Sequence, residues 1–349
     1  MKKEFDKNLV VEKAVFDESF SFYDISESPF KLYGNCKEAE NVYARMPEKI
    51  AATVSPGVSQ SSQRSAGVRC RFSTNSKRIG IKASYKLCSQ AVTQSALSAK
   101  GFDVYVNGEY YVSLRPQPDM ENYYEQLVPI GDGDEKDIIL YFPYHSVPEK
   151  IIIALDKDAT VGKGKEYKHT VPVVFYGSSI TQGFCVARPG NIYSSMISRK
   201  LDTDFINLGF AGVCRGEKQM AEYIGSLKKS VIVCEYDHNE PDFDSLNKKH
   251  LDFYKNLREA DSTTPIIFTS SPNKRYNQEI MYPRMKVVEA TYKYAIGNGD
   301  KNVYFINGQE LYPEELRSEC SADAVHPNDL GSHFMAEKIS AIIKNLIEN

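Results

Sequence analysis

Several features are missing from this 349-residue sequence, and each absence excludes a class of protein. It has no run of the roughly 18–20 apolar residues that a helix needs to span a bilayer, and tryptophan is absent. Charge of one sign is missing as well, since the formal net charge is only −3. A nearly balanced charge gives no general attraction to nucleic acid or to anionic lipid. We therefore expect neither nucleic acid nor a membrane as a partner.

Paired cysteines and an apolar leader are also absent. The seven cysteines contain no CxxC pair, and several lie in apolar segments such as VIVCEYD. This usage is typical of reduced, buried thiols. Charged residues interrupt the N-terminal segment MKKEFDKNLVVEKAVFD, so it lacks the apolar core of a secretory signal. The sequence thus predicts a cytoplasmic protein. No cluster of cysteine and histidine has the spacing of a metal site, so we expect no metal and no cofactor.

Residues 1–163 favour β-structure. Apolar and polar residues alternate in Arg69–Leu87 around a Thr-Asn-Ser turn. Phe102–Leu114 predicts a hairpin with Asn107-Gly108 at its tip, the strongest short hairpin signal. The segments KDIILYFP and EKIIIALDKD predict two further strands, and no long amphipathic helix interrupts them. We expect an N-terminal β-sandwich domain of the jelly-roll type.

Residues 164–349 show a different pattern, beginning after a short polar linker at Val161–Lys165. Helical patterns alternate here with strands, including an amphipathic helix over Asp242–Arg258 and a last helix from about Gly331. This alternation predicts an α/β domain, a parallel sheet covered on both faces in a flavodoxin-like, three-layer arrangement. The five predicted strands are Val171–Tyr176, Asp204–Leu208, Ser230–Tyr236, Pro265–Ser270 and Asn302–Ile306.

Sites in an open parallel sheet form beyond the carboxyl ends of the strands. After the first strand comes GSSITQG, which lacks the lysine of a P-loop and the spacing of a dinucleotide site. It is not the GxSxG elbow of α/β-hydrolases either, because Thr181 replaces the second glycine. Taken alone, this segment would be an ordinary Gly/Ser turn. It also offers a nucleophile, Ser179, which would need a base.

A base and its acid occur together before the last helix. Asp323 and His326 are three residues apart, so the carboxylate can reach Nδ1 and leave Nε2 for a serine. His238 has Glu235 at the same spacing, but Glu235 falls inside the third predicted strand. Alone, the Asp323–His326 pair could equally be a turn cap and a surface histidine.

Two further loops offer hydrogen-bond donors for an oxyanion. Gly212 follows the second strand in NLGFAG, and Asn239 follows the third in YDHN. The backbone N–H groups of Ser179 and Gly212, with the Asn239 amide, could stabilise the oxyanion of acyl transfer. Each residue by itself would also suit a turn or a loop cap.

The segments GSSIT, NLGFAG, YDHN and DAVH fall in the order of the four blocks of the SGNH (GDSL-like) hydrolases, and the sequence resembles that superfamily. The resemblance implies Ser179 as nucleophile, Gly212 and Asn239 as oxyanion donors, and Asp323 and His326 as acid and base. The family's first block commonly reads G-D-S, and Ser178 stands here in place of the aspartate. SAGVRCRFSTNS and GFDVY resemble the GxDLY-type β-domain that precedes the esterase domain in a bacterial subgroup.

The resemblance implies an esterase without cofactor that cleaves short acyl esters, acetyl esters above all, on carbohydrates. An esterase acting on a lipid or another small non-sugar ester is the alternative. The loop Ser271–Tyr282 is too polar for the apolar lid of a lipase. A catalytically inactive glycan-binding protein is a third hypothesis. The β-domain could bind glycans through its tyrosines, buttress the catalytic domain or mediate a homo-oligomer, and these alternatives stay open.

Overall fold

The computed structural model describes residues 14–117, 120–272 and 278–348. Most of the N-terminal segment used to predict the absence of a signal lies outside these residues, as do residues 273–277 of the polar loop. Within the described residues, no helix combines the length and the apolar character needed to cross a membrane.

The N-terminal part is a sandwich of two antiparallel sheets. One sheet has the strand order β1-β9-β4-β7, and the other has the order β10-β3-β8-β5-β6 with β2 paired to β3. Buried side chains from both sheets, including Phe72, Ile81, Leu140 and Ile153, form a common core between them. The strands are β1 (Phe20–Asp24), β2 (Lys31–Tyr33), β3 (Arg69–Thr74), β4 (Arg78–Leu87), β5 (Phe102–Val106), β6 (Glu109–Leu114), β7 (Tyr123–Pro129), β8 (Lys136–Tyr141), β9 (Val147–Asp156) and β10 (Val161–Lys163).

The predicted β-features differ in how they sit in this sandwich. β5 and β6 form the predicted hairpin, with Asn107 and Gly108 at positive φ in its turn. The turn between β3 and β4 instead carries the chain from one sheet to the other. Ser76 and the Lys77 N–H anchor this turn to Asp156 at 2.9 and 2.8 Å. The first part of the predicted linker is a strand, since β10 pairs with β3.

The C-terminal part has the predicted α/β fold. Its five strands are parallel in the order β12-β11-β13-β14-β15. The strands are β11 (His169–Gly177), β12 (Thr203–Gly209), β13 (Val231–Glu235), β14 (Ile266–Thr269) and β15 (Val303–Ile306). The helices are α4 (Ser179–Gln182), α5 (Tyr193–Leu201), α6 (Lys218–Ser226), α7 (Phe243–Ala260), α8 (Gln278–Gly297) and α9 (Asp329–Ile347).

Side chains alternate along β11 between two hydrophobic clusters. Val174 and Tyr176 face the cluster that contains α6, α7 and α8, while Val173 and Phe175 face the cluster that contains α5 and α9. Burial of β11 on both faces explains its nearly continuous apolar sequence. This arrangement confirms the three-layer domain and brings the carboxyl ends of β11, β12 and β13 to one edge.

Three short helices in the N-terminal part were not predicted: α1 (Glu48–Val54), α2 (Pro56–Ser62) and α3 (Ala96–Lys100). Met46, Ala51 of α1 and Val58 of α2 are fully buried in the same cluster as Tyr176. This segment therefore packs into the core of the α/β domain although it precedes the sandwich strands β3–β10. The division at residues 163 and 164 stays a prediction.

Candidate active site

A tight turn follows the central strand β11. A Cβ atom at Gly177 would lie 2.1 Å from Thr181 Oγ1, so only glycine fits there. Ser178 caps α4, because its Oγ accepts a 3.1 Å hydrogen bond from the Ile180 N–H. Ser179 is thereby placed at the first position of α4, beyond the carboxyl end of β11. The N–H of a residue at this position has no partner within the helix.

Ser179, His326 and Asp323 form one hydrogen-bonded chain. Ser179 Oγ lies 2.8 Å from His326 Nε2, and His326 Nδ1 lies 2.7 Å from Asp323 Oδ2. Both distances suit a nucleophile, a base and the group that orients the base. The network assigns the ring hydrogen to Nδ1, so Nε2 accepts from the serine. Residues that are 147 positions apart in the sequence are thus brought together.

The loop that holds Asp323 and His326 is shaped by its own backbone. Asp323 Oδ1 accepts hydrogen bonds from the N–H groups of Val325 at 3.1 Å and His326 at 2.8 Å. Ala324 adopts a φ of +65°, which lets the chain fold back within three residues. Burial alone would raise the pKa of Asp323, but the hydrogen bonds and charge of His326 outweigh it and hold that pKa below its ordinary value. The carboxylate is therefore ionised at neutral pH.

The predicted oxyanion donors lie in the loops after β12 and β13. Gly212 has a φ of +73°, the left-handed region that glycine adopts most easily. Asn239 Nδ2 donates a 3.3 Å hydrogen bond to the Phe210 carbonyl, which joins the two loops. A primary amide carries two hydrogens, so one remains for another acceptor. The roles of Ser179, Gly212 and Asn239 as oxyanion donors stay a prediction.

Glu235 was not predicted to have a role, yet it lies directly beneath the nucleophile turn. Its side chain is fully buried at the end of β13. Its Oε2 accepts hydrogen bonds from Ser178 Oγ at 2.7 Å and Thr181 Oγ1 at 3.1 Å. Burial raises the pKa of Glu235. Because Ser178 replaces the aspartate common in the family, β13 supplies a carboxylate next to the position that usually carries one.

Arg45 was also missed, because nothing in its surrounding sequence marks it. It is fully buried and donates to the carbonyls of Asn207 at 2.9 Å and Gly209 at 2.7 Å. It donates further to the carbonyls of Ser61 and Arg64. Burial lowers the pKa of Arg45 to about 9, so it remains charged at neutral pH. A cation from the N-terminal half thus supports the loop that leads to Gly212.

Gln182 connects the nucleophile turn to both neighbours. Its Oε1 accepts from the Ala211 N–H at 3.0 Å, and its Nε2 donates to the Tyr144 carbonyl at 3.1 Å. A Cβ at Gly209 would lie 2.2 Å from the Gln182 nitrogen, so glycine permits this close approach. The turn, the loop before Gly212 and the β-sandwich domain therefore meet at one glutamine.

Phe184 and Cys185 pack around the Asp323–His326 pair. The Phe184 ring centroid lies 5.4 Å from that of His326 at an interplanar angle of 31°. On its other side, Phe184 contacts His145 of the sandwich domain at 5.2 Å. Cys185 Sγ lies 3.8 Å from Asp323 Oδ2, and burial raises the pKa of that thiol to about 11. A neutral thiol can donate to the carboxylate without competing for its negative charge.

Two groups of side chains among the described residues have the proximity of metal ligands, although none was visible in the sequence. One contains Cys185, Asp323 and His326, and the other contains Glu235, Asp237 and His238. The first uses the atoms that hold Ser179, so an ion there would replace the Ser179–His326 bond. In the second, His238 Nδ1 lies 3.5 Å from Glu235 Oε1. That catalysis needs no metal stays a prediction.

Comparisons with known proteins agree with this geometry. The profile of the GDSL-like lipase/acylhydrolase family matches residues 170–344, and that of the N-terminus of SGNH hydrolase-type esterases matches residues 20–161. Among functionally curated proteins, the sequence matches none.

Solved structures share the whole architecture. A GDSL-like lipase from Bacteroides ovatus is 26% identical, with a TM-score of 0.84 over 94% of this chain and 98% of that one. The salicylyl-acyltransferase SsfX3 of a tetracycline biosynthetic pathway is 19% identical, with a TM-score of 0.76 over 95% and 100%. A family two carbohydrate esterase from Cellvibrio japonicus is 11% identical, with a TM-score of 0.60 over 95% and 98%. The chain belongs to the GDSL-like lipase/acylhydrolase family, whose chemistry is ester hydrolysis.

Proposed function

We propose that this protein hydrolyses short-chain acyl esters, with acetyl esters of carbohydrates as its substrates, through an acyl-enzyme on Ser179. The observation that carries the proposal is the unbroken hydrogen-bonded path from Ser179 Oγ through His326 to Asp323. Such a path supplies a nucleophile with its own base, so the reaction needs no cofactor.

In the first half-reaction, Ser179 Oγ attacks the ester carbonyl carbon while His326 Nε2 takes the serine proton. Asp323 keeps the ring in the required tautomer and stabilises the imidazolium. The carbonyl oxygen becomes an oxyanion, which the N–H groups of Ser179 and Gly212 and the Asn239 amide would stabilise. When the intermediate collapses, His326 donates the proton to the leaving alkoxide, and the acyl group stays on Ser179.

In the second half-reaction, His326 accepts a proton from water, and the resulting hydroxide attacks the acyl-enzyme. The second tetrahedral intermediate uses the same donors. Its collapse returns the proton from His326 to Ser179 Oγ and releases the carboxylic acid. Each step uses groups already connected by hydrogen bonds, so the enzyme is reset without any other reactant.

The carbohydrate assignment is supported by the Cellvibrio carbohydrate esterase, which shares the sandwich and the α/β domain over nearly its whole length. The acetyl assignment is supported by the tight loops around Ser179. The Asn239–Phe210 hydrogen bond and the Phe184 ring narrow the space beside the nucleophile.

A small non-sugar ester is the second candidate. The salicylyl-acyltransferase superimposes with a higher TM-score than the carbohydrate esterase, 0.76 against 0.60. An acyl-enzyme can pass its acyl group to an alcohol as readily as to water if the alcohol is bound in place of the water. The same site would then act on an aromatic or another small-molecule ester.

The two candidates are separated by substrate panels with purified protein. Defined acetylated xylo-oligosaccharides would be compared with aryl acetates and with long-chain esters, and acetate release would be measured. Regioselective deacetylation of the oligosaccharides supports the carbohydrate assignment. Turnover restricted to non-sugar esters overturns it in favour of the second candidate. Labelling of Ser179 by a fluorophosphonate, with Ser179→Ala as the control, separates both from an inactive glycan-binding protein.

A further inference from the structure

A cavity of about 310 Å³ lies between the β-sandwich and α5. Its polar lining includes Arg71, Asp137 and Lys165 from the N-terminal side and Arg199 and Asp202 from the other. Asp202 precedes the amino end of β12, so the cavity lies at the opposite edge of the sheet from Ser179. Its volume falls in the range of small-molecule sites, roughly 300–1,000 Å³.

Arg71 presents unused donors to this cavity. Its side chain is only 4% exposed, yet Nε and Nη1 have no hydrogen-bond partner in the protein. Nη2 donates to Asp137 Oδ2 at 2.8 Å, and the guanidinium stacks on the Tyr167 ring at 4.6 Å. These contacts hold the guanidinium in place. Two N–H groups that are both buried and fixed cost free energy unless an acceptor meets them.

Arg199 adds a further donor from the opposite wall. Its guanidinium packs against the rings of Tyr105 at 4.4 Å and Tyr141 at 5.4 Å. Its Nη1 is buried without a hydrogen-bond partner, and no ion pair of Arg199 occurs within the described residues. Arginine is suited to planar, bidentate recognition of carboxylate and phosphate oxygens.

The charges of the lining favour an anion. Arg71, Lys165 and Arg199 give three positive charges against two from Asp137 and Asp202, a balance of +1. Asp137 is already occupied, because its Oδ1 accepts from the Lys165 N–H at 2.6 Å while Oδ2 accepts from Arg71. The unused hydrogen-bonding capacity of the arginines is therefore all donor, with no acceptor to meet it.

We propose that this cavity binds a small oxyanion, either inorganic phosphate or the carboxylate of a sugar acid, through Arg71 and Arg199. The ligand would accept hydrogen bonds from Nε and Nη1 of Arg71 and from Nη1 of Arg199. Because one arginine comes from each domain, the bound anion would link the sandwich to the α/β domain. This site is independent of the proposed esterase activity.

The test is isothermal titration of the full-length protein with sodium phosphate and, separately, with sodium glucuronate at constant ionic strength. We expect saturable binding of at least one ligand, and the ligand that binds identifies the source of the oxyanion. Binding should persist when Ser179 is blocked by a phosphonate, since the cavity lies at the other edge of the sheet. No saturable heat with either ligand up to about 10 mM would overturn the proposal.

Variants assign the contacts. Arg199→Gln should weaken binding at least about tenfold, equivalent to about 1.4 kcal/mol, while Lys200→Gln, the neighbouring exposed cation, should leave it unchanged. Arg71→Lys keeps a charge beside Asp137 but loses the forked donors, and should weaken binding similarly. Asp202→Asn should tighten it, and its φ of +47° suits asparagine. Equal binding by Arg199→Gln, or weaker binding by Asp202→Asn, would contradict an anion site formed by these residues.

Discussion

Ser178 donates its hydroxyl hydrogen to the Glu235 carboxylate at 2.7 Å, and this bond distinguishes two adjacent serines. The Ser178 side chain is fully buried and also caps α4. Ser179, one residue later, instead lies 2.8 Å from His326 Nε2. A hydroxyl committed to a buried carboxylate is poorly placed to attack a substrate, so the two serines should respond differently to substitution.

The first prediction compares the two serines. Ser179→Ala should lower kcat by about 10³-fold or more, because removing one member of such a triad removes most of its effect. Ser178→Ala should retain substantial activity and lower the free energy of unfolding by about 1 kcal/mol through loss of the cap. Steady-state kinetics and urea unfolding measure the two effects. Loss of activity in Ser178→Ala alone would reverse the assignment of the nucleophile.

The second prediction treats Glu235 as a positioning residue. Glu235→Ala should lower the free energy of unfolding by about 2–4 kcal/mol, since two buried hydroxyls lose their acceptor and a cavity forms. It should also lower kcat by about tenfold or more with little change in KM, because the nucleophile turn shifts.

Glu235→Gln is the matched control for that substitution. It keeps an acceptor oxygen for Ser178 and Thr181, so most of the activity should return. If Gln lowered kcat as much as Ala while the protein stayed folded, the charge of Glu235 would matter and a purely positional role would be wrong.

The predicted catalytic residues and the supporting residues differ in how visible they are in the sequence. Ser179, Gly212, Asn239, Asp323 and His326 lie in short motifs, each in a loop after a strand or before the last helix, and the parallel sheet brings those loops to one edge. Arg45 acts through hydrogen bonds to backbone carbonyls, whose positions depend on tertiary packing alone. No local pattern can reveal such a contact.

The same limit explains the β-region. Alternation of apolar and polar residues predicted the strands before and after Ser76, but alternation does not say which strands pair. The chain crosses between sheets there because Ser76 and Lys77 hydrogen-bond to Asp156, which is about 80 residues away. The Phe102–Leu114 hairpin was predictable because its partner strands are adjacent and Asn107-Gly108 fixes the turn.

The third prediction concerns Arg45. Arg45→Met removes four hydrogen bonds to carbonyls and should lower the free energy of unfolding by about 3 kcal/mol. Because two of those carbonyls lie on the path to Gly212, kcat should fall about tenfold with a smaller change in KM. Lys49→Met, an exposed cation of α1, is the control. An unaltered kcat in a destabilised Arg45→Met would show that Arg45 supports only the fold.

The fourth prediction concerns Asp323. Asp323→Asn should lower kcat by about 10³–10⁴-fold, because an amide can stabilise the wrong tautomer of His326. The pKa of Asp323 lies below its ordinary value of 3.8, so its ionised form stabilises the folded state. That contribution is complete above the ordinary value and is lost as the pH falls through the folded-state pKa.

Unfolding of wild type and Asp323→Asn at a series of pH values tests the sign of this effect. The stability advantage of the wild type should be constant between about pH 5 and 7 and should shrink below about pH 4. An advantage that grows on acidification would mean that Asp323 is protonated in the folded protein.

The last prediction concerns the length of the acyl group. The loops that carry Gly212 and Asn239 are joined beside the nucleophile turn through the Phe210 carbonyl. The Phe184 ring covers one side of His326. Each added methylene would gain about 0.8 kcal/mol only if an apolar groove buried it. We therefore expect kcat/KM on nitrophenyl esters to be highest for acetate and to fall beyond butyrate, with Ser179→Ala as the blank. A rate that rises steadily from acetate to octanoate would reveal a buried acyl channel and favour a lipid ester as the natural substrate.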